Sequence, residues 1–321
     1  MQSRLAMTNS PAQRPTDHWS DYWARGSLTS LPDDFSGNYD GEIAAFWAER
    51  FKSLPEPARI LDICTGNGAL ALLAADHAIS QSRTFEITAV DAARIRPDLI
   101  AEGRPDLANA LGRIRFVPDT PMEAFQAPAA HFDLAMSQYG IEYCDQAAVA
   151  PIIAGLLKPG AELALLCHAS SSDMLKTMQG ELAEYQRLDA LGLVRTLRAW
   201  LKDQLDSSRL RRQLARVAQA IYPDYQARRS PLFGFVLQAI NQIARLDERG
   251  LRQQHDQFKR FLVQLESGRQ RLDDMLRVNR LLEADDWHQP YLDAGLELVD
   301  QGDLFYRQQH HVGRWFVFCK A

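Results

Sequence analysis

The feature that most constrains this chain is a short apolar segment that runs into an acidic residue and two closely spaced glycines. Residues 60–68 read Ile-Leu-Asp-Ile-Cys-Thr-Gly-Asn-Gly, and the apolar run Ala69 to Ala75 follows at once. The pattern predicts a buried parallel strand, a tight turn and the start of a packed helix. Gly66 and Gly68 would let the backbone turn sharply and approach a ligand with no Cβ in the way. Such a turn is typical of nucleotide-binding α/β folds.

A second strand-like segment supports this interpretation and adds a carboxylate. Phe85 to Val90 is apolar and alternating, and Asp91 closes it. Asp91 follows Gly68 by roughly 20 residues, the interval at which such folds place an acid on the ribose hydroxyls of a nucleotide. The sequence therefore predicts a ribose-binding carboxylate at the end of the second strand.

Two cofactors fit this outline. Gly66 to Ala71 satisfies the dinucleotide pattern G-x-G-x-x-G/A, so NAD is one candidate. S-adenosyl-L-methionine is the other, and Asp62 distinguishes between them. An acid just before the turn suits a cationic methionyl group, whereas beside a pyrophosphate it would add repulsion. We therefore favour S-adenosyl-L-methionine and keep NAD as the alternative.

The segment Ile60 to Gly68 resembles the first motif of the class I S-adenosylmethionine-dependent methyltransferases, in which an acid precedes G-x-G-x-G. Cys64 stands where the first glycine is expected. The resemblance continues at the expected intervals over residues 40–170 and 284–321. Its further segments are Arg113 to Val117 with Pro118-Asp119-Thr120, Phe132 to Ser137 with Gln138 to Tyr143, Leu157 to Gly160 before Glu162 to His168, and the final pair Leu296 to Tyr306 and Arg314 to Lys320.

The resemblance implies a doubly wound α/β fold, with a Rossmann-like, mostly parallel sheet whose last strand is antiparallel. We expect residues 1–17 to be a disordered leader and residues 18–58 to form an N-terminal lid. Residues 59–170 together with 284–321 would bind the cofactor, and residues 171–283 would form an all-helical insertion.

The expected insertion is basic and rich in leucine, glutamine and arginine. Residues 171–280 carry 20 Lys+Arg against 13 Asp+Glu, although the whole chain has a net charge of −5. Its pattern predicts short amphipathic helices that end at Pro223 and Pro231, and then one long helix from about Gly250 to Leu282 with an interrupted heptad. Whether this segment caps the site or forms an oligomer interface stays open.

The resemblance also implies the site residues. Cofactor contacts are expected from the glycine turn, the strand-end acids, the polar end of the fourth strand and the lid aromatics: Asp62, Cys64, Gly66, Gly68, Asp91, Asp119, Thr120, Ser137, Gln138, Tyr22 and Tyr39. The catalytic candidates are His168, Glu142 and Tyr139, since His168 would emerge at the tip of the fifth strand with a pKa suited to a general base. No metal site is expected, because the adjacent His310 and His311 would point to opposite faces of a strand.

Composition argues against some classes of function. The net charge of −5 argues against broad nucleic-acid affinity, and no apolar run is long enough to span a membrane. The four cysteines lack C-x-x-C spacing, which favours reduced thiols and a cytoplasmic location. We expect methyl transfer to a small-molecule acceptor, with an anionic or carrier-bound molecule among the candidates, and we leave a homodimer open. The alternatives are an NAD-dependent oxidoreductase and a non-catalytic S-adenosylmethionine-binding scaffold.

Overall fold

A computed structural model describes residues 16–30, 37–169, 172–281 and 283–321. Most of the expected leader, residues 1–15, and residues 31–36 of the expected lid lie outside the described residues. The strands are β1 (Ala58–Ile63), β2 (Phe85–Val90), β3 (Ile114–Val117), β4 (Phe132–Gln138), β5 (Leu157–Cys167), β6 (Leu296–Tyr306) and β7 (His310–Lys320).

Helices precede the first strand and lie between most pairs of successive strands. Those of the N-terminal part and the sheet region are α1 (Asp17–Trp23), α2 (Gly41–Lys52), α3 (Ala69–Ser80), α4 (Pro97–Gly103), α5 (Ala108–Leu111) and α6 (Gln146–Leu156). Between β5 and β6 lie α7 (Asp173–Ala190), α8 (Leu193–Leu201), α9 (Ser207–Arg228), α10 (Pro231–Arg245), α11 (Glu248–Gln253), α12 (His255–Leu281) and α13 (Gln289–Asp293).

The strands of the described residues form one seven-stranded sheet in the order β3-β2-β1-β4-β5-β7-β6. β1 is central and pairs in parallel with β2 and β4, so that Ile60 lies beside both Ile87 and Leu134. The sheet is mostly parallel with one antiparallel edge and helices around it, which confirms the predicted fold class. Chain order reverses between β1 and β4, and in open α/β sheets ligands bind beyond the carboxyl ends of the strands at such a switch point.

Apolar spacing explains why these segments pack where they do. The last four residues of β1 are all buried, as expected for a central parallel strand covered on both faces. In α2, Ile43, Trp47 and Phe51 recur every fourth residue and are buried together. Burying each such side chain stabilises the fold by about 1.5–3 kcal/mol.

Two expectations about the helices between β5 and β6 are wrong. Pro223 lies inside α9 rather than ending it. The helix does end just before Pro231, at Arg228, and Pro231 is then the first residue of α10, where its missing N–H costs nothing. Tyr225, beyond Pro223, still packs against the apolar core of this unit, so packing outweighs the one backbone hydrogen bond that Pro223 removes. The long C-terminal helix is also divided, since α11 ends at the cap residue Gln254 before α12 begins.

The chain divides into two compact units. The first contains the described residues up to Leu165, with Pro290–Val299 and Val317–Ala321; the second contains Leu166–Gln289 and Asp300–Phe316. The second unit has its own apolar core, in which Leu193, Leu214, Val236 and Phe258 are buried. Among the described residues, no helix combines the length and the apolar character that a membrane crossing requires.

Candidate active site

The turn after β1 is built from residues with left-handed backbone. Cys64 has φ +58°, Gly66 +56° and Gly68 +94°, and Gly68 caps the start of α3. The amide of Gly68 donates to the Thr65 carbonyl (3.0 Å), which closes the turn. Aromatic rings lie directly on both glycines. A Cβ at Gly66 would therefore come within 2.5 Å of Trp23, and one at Gly68 within 2.8 Å of Phe116. Glycine is therefore required at both positions.

Two buried carboxylates flank this turn. Asp62, at the end of β1, is 1% exposed, and its Oδ2 accepts hydrogen bonds from the Thr65 hydroxyl (2.5 Å) and the Ala71 amide (3.1 Å). Asp91, which follows β2, is 9% exposed and accepts from the amides of Gly66 and Ala93, both at 2.7 Å. The two acids thus fix the turn from either side.

Burial disfavours the charged form of both acids. It raises the pKa of Asp62 to about 7, with the nearby Asp91 adding to the effect and the hydrogen bonds from Thr65 and Ala71 opposing it. Burial likewise raises the pKa of Asp91 to about 6, against the hydrogen bonds from Ala93 and Gly66. A cation bound beside these two acids would favour their ionised forms.

These pKa values predict that the free protein loses stability as the pH rises. An unfolded aspartate titrates near pH ~4, so above that value the folded state holds more protons than the unfolded state. The contribution is fully present below about pH 4 and is lost as the pH passes 6 for Asp91 and 7 for Asp62. Urea titrations from pH 4 to pH 8 should show a loss on the order of a few kcal/mol that shrinks in Asp62→Asn. An identical pH profile in that variant would contradict the assignment.

The first helix lies on the glycine turn. Trp23 stacks on Trp19 with ring centroids 5.9 Å apart, and its ring covers Gly66. The fully buried Asn67 holds this contact, because its Nδ2 donates to the carbonyls of Trp23 (3.0 Å) and Ser27 (2.8 Å) while its Oδ1 accepts from the Arg96 amide (2.7 Å). Asn67 was not among the predicted site residues, and its only signal in the sequence is an amide side chain between two glycines.

Tyr22 and Tyr39, the lid aromatics predicted to contact the cofactor, are both buried. The Tyr22 hydroxyl donates to the Thr29 carbonyl (2.8 Å), which folds the segment after α1 back on the helix. The ring of Tyr39 meets that of Tyr139 edge on, with centroids 6.4 Å apart. Burial raises the pKa of Tyr39 to about 12, so its phenol is neutral at physiological pH.

The carboxyl end of β4 adds polar side chains at the same edge of the sheet. The Ser137 hydroxyl is buried and donates to the Ile63 carbonyl (2.8 Å), which ties β4 to the end of β1. Gln138 accepts from the Trp47 indole (2.6 Å). Tyr139 follows with φ +56°, a strained conformation for a residue with a side chain.

Asp119 and Thr120, the expected adenine contacts, lie in the loop after β3. Asp119 is exposed with φ +52°, and its amide donates to the Ala93 carbonyl (3.2 Å). The Thr120 amide donates to the Asp91 carbonyl (2.9 Å). Backbone hydrogen bonds therefore join this loop to the one that carries the ribose-binding candidate Asp91.

The catalytic candidates fall into both units. Tyr139 and Glu142 belong to the first unit, and Glu142 is buried in a short 3-10 helix, Ile141–Tyr143. Tyr143 packs edge on against Trp19 of α1, with centroids 5.5 Å apart. His168 directly follows β5, is buried, and belongs to the second unit. The first unit thus brings together all the predicted site residues except His168.

Comparison with known proteins gives one family match. The family model described as "Methyltransferase domain" matches residues 35–206, more than half of the 321-residue chain. The match covers β1 to β5, and so every predicted cofactor contact except Tyr22. No curated protein sequence matches the chain.

The chain is also similar to solved structures, at low sequence identity. A protein assigned as an S-adenosyl-L-methionine-dependent methyltransferase from Methanococcus maripaludis is 14% identical, with a TM-score of 0.45 and 98% of each chain covered. Haemonchus contortus phosphoethanolamine N-methyltransferase 2 is 12% identical, with a TM-score of 0.44, 97% of this chain and 61% of its own covered. The citrinin polyketide synthase CMeT domain is 19% identical, with a TM-score of 0.33, 40% of this chain and 34% of its own covered. All three TM-scores lie below 0.5, so the functional conclusion depends on the family match and the site.

Proposed function

This chain belongs to the methyltransferase-domain family, and from that membership we propose that it transfers a methyl group from S-adenosylmethionine to a small-molecule acceptor. It is an enzyme with the fold of the class I S-adenosylmethionine-dependent methyltransferases. The observation that carries the proposal is the pair of buried acids, Asp62 and Asp91, on either side of the Gly66–Gly68 turn. A pyrophosphate would meet repulsion there, whereas a cationic methionyl group would be attracted.

The carboxylates and glycines around the turn fit S-adenosylmethionine. Within the described residues, both hydrogen bonds to the Asp62 carboxylate reach Oδ2, so Oδ1 is available to accept from an ammonium group. Asp91 uses one lone pair on each oxygen for a backbone amide and keeps the second for a ribose hydroxyl. Gly66 and Gly68 form a cradle that a Cβ would fill. When bound, the cofactor supplies a methyl group on a positively charged sulfur, ready for in-line displacement.

The lid has a part in this proposal. Trp23 covers the face of Gly66 that a ligand would use, so we propose that α1 shifts to admit the cofactor and closes again over it. An aromatic face also suits a sulfonium. Closing the lid excludes water and holds the reacting groups in place, which can supply much of the rate enhancement of such a reaction.

The acceptor side is proposed at the end of β4. Tyr139 and Glu142 are buried there within the first unit. The Glu142 carboxylate is the candidate to take a proton from the acceptor, and the Tyr139 phenol is the candidate to orient it by a hydrogen bond. Tyr39, neutral with a pKa of about 12, would donate a hydrogen bond rather than act as a base. His168 stays a catalytic candidate, and the role of residues 171–283 as a cap or an interface stays a prediction. Ser137, Gln138, Asp119 and Thr120 are proposed to border the cofactor.

Calorimetry tests the proposal. Purified protein is titrated with S-adenosylmethionine, its demethylated product S-adenosylhomocysteine and NAD, and methyl transfer is then followed from a radiolabelled donor into small-molecule fractions. We expect the first two ligands to bind and to raise the melting temperature, as ligands selective for the folded state do. Binding of NAD without S-adenosylmethionine would refute the proposal.

Asp91→Ala is expected to weaken cofactor binding by about 1–3 kcal/mol, because charge-assisted hydrogen bonds to the ribose are lost. The exposed Asp98, paired with Arg96 at 2.6 Å, offers a matched control, and Asp98→Ala should bind normally. Since Asp91 also accepts from the Gly66 amide, melting temperatures are measured alongside Kd. An unchanged Kd in folded Asp91→Ala would remove Asp91 from the site.

A further inference from the structure

Two of the four cysteines meet beside the glycine turn. Cys64 directly follows β1 and Cys144 follows the 3-10 helix Ile141–Tyr143; although they are 80 residues apart in the chain, their Sγ atoms lie 3.7 Å from each other. Both cysteines are free, and each residue is partly exposed. Cys167 and Cys319 are also free thiols.

The surrounding backbone holds the pair in place. Gly140 lies so close to Cys64 that a Cβ at position 140 would overlap the Cβ of Cys64. On the other side, the side-chain Nε2 of Gln146 donates to the carbonyls of Ile141 (2.6 Å) and Cys144 (2.9 Å). The two thiols are thus presented to each other by anchored segments rather than by a chance side-chain contact.

We propose that Cys64 and Cys144 are a modification site, a reversible disulfide formed by exchange with an oxidised small thiol such as glutathione disulfide. To form the bond, the two sulfurs must approach from 3.7 Å to about 2.05 Å. No other cysteine needs to move.

The exchange balances in two steps. One protein thiolate attacks glutathione disulfide, forming a mixed disulfide and releasing one glutathione thiolate. The second protein thiolate then attacks the protein sulfur of that mixed disulfide and releases the second glutathione. Two protein thiols lose two electrons and two protons, and one glutathione disulfide becomes two glutathiones. The hydrogen bond with Cys144 and burial raise the pKa of Cys64 well above its usual value, so the exchange is best run in mildly alkaline buffer.

The disulfide would act on the site already proposed. Cys64 lies two residues before Gly66, within the left-handed turn, so pulling its sulfur toward Cys144 alters the turn that receives the cofactor. This consequence rests on the proposed function; formation of the bond does not. We expect the oxidised protein to bind S-adenosylmethionine at least tenfold more weakly than the reduced protein.

Mass spectrometry tests the bond without any cofactor. Full-length protein is equilibrated with glutathione and glutathione disulfide, quenched in acid, alkylated after denaturation and digested without reduction. We expect intact protein lighter by two hydrogens and a peptide that joins Cys64 to Cys144, both reversed by dithiothreitol. Cys144→Ser should abolish the linked peptide, whereas Cys319→Ser should leave it unchanged. Absence of the 64–144 peptide at excess glutathione disulfide, with the wild-type protein still folded, would overturn the proposal.

Calorimetry on the two redox forms tests the consequence separately. A tenfold loss of affinity on oxidation that disappears in Cys144→Ser supports the coupling. An equal Kd for both forms would overturn the coupling to the cofactor. If the disulfide forms but neither redox form binds S-adenosylmethionine, the proposed function has failed while the modification site stands.

Discussion

Replacing Gly66 by valine is expected to abolish measurable binding of S-adenosylmethionine. Gly66 has φ +56°, where a β-branched residue is strained, and any Cβ there would come within 2.5 Å of Trp23. The valine side chain would occupy the face of the turn that the cofactor needs. Strain of this kind costs about 1–3 kcal/mol, so the protein should fold with a lower melting temperature.

The control for this variant is a glycine with neither constraint. Gly155 lies within α6 and has open space at its Cβ position, so Gly155→Ala should bind normally and gain about 0.5–1 kcal/mol of stability. A second control separates the clash with Trp23 from the blocking of the site. It combines Trp23→Ala with Gly66→Ala. The alanine Cβ at position 66 then no longer meets the indole ring, but it still lies on the turn. Calorimetry that gave normal affinity for folded Gly66→Val would contradict the placement of the cofactor.

The sheet was predictable because its signals are local. Apolar segments reach acids at Asp62 and Asp91. The segment at β1 is nearly continuous, as in a parallel strand buried on both faces, and the segment at β2 alternates. The start of α10 was not predictable in this way, since Pro231 serves equally as a helix stop or as a first helical residue. Only the packing of the buried stripe decides between those two roles.

The contacts that assemble the site are long-range, and periodicity does not report them. Asn67 joins Trp23 across 44 residues, and Cys64 meets Cys144 across 80. Cys64 stood out in the sequence only as a departure from the expected glycine. Its positive φ shows that the turn keeps its left-handed form without that glycine, and its neighbour Cys144 gives the thiol a chemical partner that glycine could not have.

Helix α1 and the buried acids contact the same few backbone atoms. The Gly66 amide donates to Asp91, while Trp23 covers the same residue from the other side. In the proposed mechanism, a ligand that enters displaces an aromatic ring and compensates the charge of two carboxyl groups whose ionisation burial disfavours. We expect the charge of the ligand, more than its apolar surface, to provide the driving force for moving the lid.

Asp62→Asn tests that expectation and should have the second large effect, weakening S-adenosylmethionine binding by about 3–5 kcal/mol, the usual result of removing one partner from a buried ion pair. The pKa of Asp62 is about 7 in the free protein, so near pH 6.5 much of this carboxyl is protonated. A cationic ligand favours the ionised form, and binding at that pH must release part of a proton to the buffer.

Calorimetry in buffers of different ionisation enthalpy measures this release directly. We expect wild-type protein to lose a proton on binding at pH 6.5 and to lose less at pH 8.5, where Asp62 is already ionised. Asp62→Asn should remove most of the difference, and Asp91 should account for the smaller remainder because its pKa is about 6. Asparagine keeps the size of the side chain and its amide oxygen can still accept from Thr65, so a folded variant is expected. Equal proton release by wild-type and Asp62→Asn protein would mean that the cationic part of the ligand lies elsewhere, and the acid before the glycine turn would then have only its structural role of holding Thr65 and Ala71.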